Sequence, residues 1–160
     1  MSETLIEKYI AENGEMVITP VGVSMWPMLR YRRDTVYIVK PEGRLKKYDL
    51  PVYKRTDGKL VMHRVIEVHP DSYTMCGDHQ TVLEPGIKDS QIIAVVKGFY
   101  RDEKYIPVED KRYIKYYKFW CADFNRRKRI LAVLDLKTKI KSCVYKLLKK
   151  AGIKRPGRHN

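Results

Sequence analysis

Ser24 sits in the run Val21-Gly22-Val23-Ser24-Met25-Trp26-Pro27-Met28-Leu29-Arg30, a hydroxyl among apolar residues closed by a proline. A lone hydroxyl is costly to bury without a partner, so Ser24 is either incidentally enclosed or placed to react. A reacting serine requires a base to take its proton, a group to orient that base, and donors for an oxyanion. Of the four histidines, His63 is the best candidate for the base: His69 precedes Pro70 in a turn, and His159 lies in the terminal residues. The alternative for His63 is a strand histidine satisfied by a backbone carbonyl. A carboxylate to orient the imidazole could come from Asp78 or from Glu84, both of which follow the strand-like Tyr73-Thr74-Met75-Cys76. Asp78, directly after Gly77, also suits an ordinary turn.

The elements that must position these residues are short and mostly extended. Thr4 and Glu7 have capping-box spacing, Leu5, Ile6, Tyr9 and Ile10 form an apolar stripe, and Gly14 can end the turn, which predicts a short N-terminal helix. Met16 to Thr19 reads as a strand, and Pro27 breaks regular structure just after the serine, putting Ser24 at a strand end or in a turn. Thr35 to Val39 is β-branched and aromatic, and Leu50-Pro51-Val52-Tyr53 is a second apolar run whose proline suggests an edge or a bulge. Asp57-Gly58 predicts a hairpin leading into one arm, Leu60 to Val68, with Val61, His63, Val65 and Glu67 on a common face. Gln91 to Tyr100 is the most strand-like run of all. Hairpin-linked strands with little helix between them predict a mainly β fold, an antiparallel coiled sheet or barrel.

A hydrophobic share of 44% in 160 residues supports a folded domain rather than a disordered chain. The net charge of +14 is unevenly spread: residues 111–160 hold 17 Lys and Arg against Asp123 and Asp135, leaving 16 basic and 17 acidic residues before them. Such a split predicts a near-neutral working domain, residues 1–108, and a basic helical tail, residues 109–160, that meets something anionic. In that tail Ile130, Val133, Leu134, Ile140, Val144, Leu147 and Leu148 keep helical spacing, with lysines on the other side, and Gly152 and Pro156 end the helix. Cys76, Cys121 and Cys143 are far apart and lack zinc or disulfide spacing, so neither a metal site nor a cofactor is expected and the thiols read as reduced. The expectation is a cytoplasmic protein, peripheral on the membrane at most, since no run suits a signal peptide or a spanning helix.

Taken together, Ser24-Met25-Trp26-Pro27, Asp49-Leu50-Pro51-Val52-Tyr53, His63-Arg64-Val65-Ile66 and Gly77-Asp78-His79-Gln80 resemble, in order and spacing, the boxes of type I signal peptidases and their LexA-type relatives, over roughly residues 16–100. The resemblance implies a serine endopeptidase on a mainly antiparallel β scaffold, with Ser24 as nucleophile. Bacterial leader peptidases carry a lysine where this chain has His63; a histidine there is similar to the signal peptidases of the endoplasmic reticulum and archaea. A lysine must be desolvated to act as a base, whereas a histidine already titrates near neutrality. By the same resemblance Asp78 matches the aspartate of its box and is favoured as the partner of His63, while Glu84 falls on a second aspartate position. Gly22 stands where relatives often have a hydroxyl residue, which assigns the oxyanion to the backbone N–H of Ser24 and its neighbours. The substrate would be a peptide or protein bound as an extended strand, with small side chains near the cut.

Three readings of the tail follow. It suits an anionic membrane surface, or its apolar stripe packs on the β domain, or, third, it contacts nucleic acid. The rival functions are a LexA-like regulator that cuts itself, for which Ala151-Gly152 is a candidate dipeptide, and a catalytically silent β module that binds through its tail.

Overall fold

Each short element forms where local chemistry demands it. In a computed structural model that describes residues 4–150, the last two by backbone alone, α1 (Leu5–Asn13) opens with the expected reciprocal cap between Thr4 and Glu7 and closes at Gly14. Gly14 takes φ +80°, a left-handed conformation that costs glycine little, and its N–H donates to the Ile10 carbonyl. Gly152, Pro156, His159 and the Ala151-Gly152 bond lie outside the described residues.

The larger sheet has the order β1 (Glu15–Ile18), β2 (Thr35–Val39), β8 (Ile92–Arg101), β3 (Pro51–Lys54), β4 (Leu60–Met62), all antiparallel, and β9 (Lys104–Pro107) also pairs with β8. The smaller antiparallel sheet is β5 (Arg64–Val68), β6 (Tyr73–Cys76), β7 (Glu84–Ile87). Between β7 and β8 lies one 3-10 turn, Asp89–Gln91. The long apolar β8 is the spine: Val36, Ile38, Val52, Ala94 and Val96 bury against Met25, Met28, Leu29 and Phe99. Burying each of the larger of these side chains contributes roughly 2 kcal/mol. A second core of Leu45, Tyr53, Val65, Tyr73, Met75 and Ile87 joins the two sheets.

Several expectations need correction. Strand and helix take comparable shares, 30% and 34%, and among the described residues no sheet closes into a barrel, so the fold is mixed rather than mainly β. Of the edge or bulge expected at Pro51, the structure has the irregularity and not the edge: β3 lies between β8 and β4, and the proline is the strand's first residue beside a register shift at Val52/Tyr53. The single arm from Leu60 to Val68 is two strands in two sheets, parted at His63. The Asp57-Gly58 hairpin forms as expected, with Gly58 at φ +83°.

The boundary expected at residue 108 also moves. α2 (Lys111–Ala122) belongs to a compact first unit that ends at Ala122, and a second unit, beginning at Asp123, contains α3 (Phe124–Lys150). Tyr113 of α2 is part of the main core, packed edge-on against Phe99 with ring centroids 5.5 Å apart. The alternation of aromatics and lysines at residues 113–118 is therefore a helix with one face buried, not part of a detached tail.

Candidate functional site

Ser24 lies in the turn between β1 and β2. Met25, Met28 and Leu29 anchor that turn in the core, while Val21 and Val23 stay exposed, so the apolar residues around the serine divide into an anchor and a rim. The turn is held by Trp26 N–H to Val23 O (3.0 Å) and Leu29 N–H to Met25 O (2.9 Å). Its far end is clamped to β8 by buried Asp34, which accepts from Arg30 Nε (2.8 Å) and Arg101 Nη2 (3.1 Å); Arg101 also donates to the Met28 carbonyl.

His63 is only 2% exposed. It and Ser24 face the same cavity of about 250 Å³, lined also by Gly22, Val61, Arg55 and Gln80. The corner Gly77 to Gln80 holds the two together. His79 N–H donates to the Ser24 carbonyl (2.7 Å), and a β-carbon on Gly77 would stand 2.7 Å from that carbonyl and 3.0 Å from His63 Nε2. Only glycine leaves the serine turn and the imidazole this close. Neither the hydroxyl nor the N–H of Ser24 carries a hydrogen bond among the described residues, and Ser24 lines the cavity.

The other ring nitrogen, Nδ1, faces away from the serine turn. It lies 3.1 Å from the Tyr53 hydroxyl and 3.6 Å from Glu84 Oε2, and the Tyr53 hydroxyl donates to Glu84 Oε2 at 2.7 Å. Arg55 completes the group, giving Nε to Glu84 Oε1 at 2.6 Å. Burial pushes the His63 pKa down to about 4, against the attraction of Glu84. Desolvation raises the Glu84 carboxyl, but its bonds to Arg55 and Tyr53 outweigh that and hold it below the ordinary carboxylate range. Burial, and then the bond to Glu84, raise the Tyr53 phenol.

At neutral pH these shifts leave a neutral imidazole, a carboxylate and an intact phenol. A phenol has one proton, and Tyr53 gives it to Glu84, which has none to return. The Tyr53 oxygen therefore accepts from His63, which fixes the imidazole proton on Nδ1 and leaves the Nε2 lone pair facing the serine turn.

Asp78, favoured on sequence, is committed elsewhere. Its two carboxylate oxygens accept from Arg64 Nε (3.0 Å) and Nη2 (2.7 Å), and both side chains are fully buried. Tyr116 donates to the same carboxylate (3.1 Å), Trp120 Nε1 to the Asp78 carbonyl (2.9 Å), and Arg64 Nη1 to the Tyr113 hydroxyl (2.9 Å). Of the two candidates, Glu84 is the carboxylate at Nδ1, and Asp78 ties the Gly77 corner to α2.

Sequence reasoning missed Tyr53, Arg55, Arg64 and the α2 aromatics. Tyr53 lies on β3 and Arg55 in the turn just after it, and both reach Glu84 from across the fold, a pairing that no local spacing announces. Among the described residues no three His, Cys, Asp or Glu side chains gather as a metal site. No protein-family model, curated protein or solved structure matches this chain.

Proposed function

We propose that this chain is a serine endopeptidase of the signal-peptidase type, with Ser24 as nucleophile, His63 as base and Glu84, acting through Tyr53, as the group that orients the base. The observation that carries it is the posture of His63: Nδ1 against Tyr53 and Glu84, and Nε2 against the corner that holds Ser24. In this mechanism Ser24 Oγ attacks the peptide carbonyl carbon as its proton passes to His63 Nε2. The Ser24 N–H stabilises the oxyanion, and the imidazolium then protonates the leaving amine. Water, activated by the same nitrogen, hydrolyses the acyl-enzyme.

The substrate class is an extended peptide. Leu60, Val61 and Met62 of β4 line the cavity, and β4 is the terminal strand of the larger sheet, where a further strand can be added. The test is hydrolysis of a peptide library by the purified protein, with product mass assigning the cut. Cleavage is expected, and its loss in both Ser24→Ala and His63→Ala; a variant that cuts as fast as the parent would overturn the mechanism.

A further inference from the structure

We infer that α3 docks on the surface of an anionic lipid bilayer, lying in the plane of the headgroups. The inference stands apart from the peptidase reading. Val133, Leu136, Ile140, Val144 and Leu147 recur at intervals of three and four, so they share one face of the helix, and every one of them is exposed, Leu136 at 57% and Leu147 at 61%. The stripe runs about 21 Å along the axis. Soluble surfaces scatter such side chains singly; a continuous row implies something that covers it.

Charge selects the occupant. Arg129, Lys137, Lys139, Lys141 and Lys146 accompany the stripe, and Asp135 is the one acidic residue in α3. A second copy laid along the stripe would bring two rows of lysine together, since the helix holds almost no acid to pair with them. A phosphate backbone would satisfy the lysines but leave the apolar row in water. An anionic bilayer takes both at once: acyl chains receive the Leu, Ile and Val side chains, and headgroup phosphates and carboxylates meet the lysines, which reach up on their long stems. The helix lies on the surface rather than across it, because none in the described residues is long and apolar enough to span a membrane.

The full chain is mixed with vesicles of phosphatidylcholine alone, or with about one third phosphatidylserine, and floated through a density gradient. Flotation is expected with the anionic vesicles and not with the neutral ones, falling steeply with added salt. Ile140→Glu with Val144→Glu is expected to abolish it, and each of Lys139→Gln and Lys141→Gln to weaken partitioning about fivefold. All these positions are exposed, so thermal unfolding of the variants should match the parent. Absence of flotation on anionic vesicles overturns the inference. So does flotation that the Ile140/Val144 variant leaves intact, a stripe-dependent dimer in sedimentation without vesicle binding, stripe-dependent retention on duplex DNA without vesicle binding, or a large loss of thermal stability in the variant, which would mean the row is covered by the protein itself.

Discussion

His63 and Arg64 are neighbours in the chain, both almost completely buried, and they serve opposite sides of one corner. His63 meets the cavity beside Ser24, while Arg64 carries its guanidinium to Asp78 and the Tyr113 hydroxyl. The chain passes from one sheet to the other here, so the guanidinium acts as the peg that fixes which way the imidazole faces.

Removing half of that peg should be severe. Asp78→Asn leaves the Arg64 guanidinium buried and uncompensated, and a loss of about 3–5 kcal/mol is expected from the denaturation midpoint. Peptide cleavage should fall with the folded fraction.

Tyr53→Phe keeps the buried ring and deletes only the hydroxyl between His63 and Glu84. The tautomer preference weakens, and kcat/KM is expected to fall about tenfold, chiefly in kcat, with the fold unchanged by circular dichroism. Glu84→Gln removes the charge that stabilises the imidazolium and should cost about a hundredfold or more. If Glu84→Gln and Tyr53→Phe both cut peptides at the parental rate, the orienting role of Glu84 is wrong.

The pH dependence has a definite sign. A folded pKa of about 4 keeps His63 neutral, hence able to accept a proton, well below 6.5. The acid limb of kcat/KM should therefore fall near pH 4 rather than near pH 6.5. Stability responds as well: between pH 6.5 and 4 the unfolded chain binds a proton that the folded chain refuses, so the fold weakens as pH drops through that window, by about 3 kcal/mol at most. Urea midpoints across this range should show a smaller pH dependence in His63→Gln.

Gly77→Ala tests the close approach at the corner. Its methyl would press on the Ser24 carbonyl and the imidazole edge, at 2.7 and 3.0 Å, so cleavage should drop more than stability, which is expected to fall by about 1–3 kcal/mol. The readout is kcat/KM beside the thermal midpoint of the same preparation.

Local signals in the sequence were accurate because they concern neighbours. The Thr4/Glu7 cap, the Gly14 stop, the Asp57-Gly58 hairpin and the β8 run all form where their spacing predicts. What could not be read was anything set by long-range pairing. Alternation from Leu60 to Val68 looks like one strand, because nothing in that stretch announces the change of sheet at His63. Asp78 and Glu84 are both carboxylates soon after β6, and the choice between them depended on Arg64 and Arg55, each of which neutralises a different one. The lysines interleaved with Tyr113, Tyr116 and Tyr117 disguised α2 as part of the tail, although its aromatic face completes the core.

That last feature sets a limit on how the molecule can be cut. Tyr116 and Trp120 close over Asp78, and Tyr113 over Arg64, so a fragment ending at residue 108 would open the most deeply buried ion pair of the first unit to water. The smallest piece of this chain that can be expressed with its corner intact extends through Ala122, and a linker or fusion partner belongs after that residue rather than before α2.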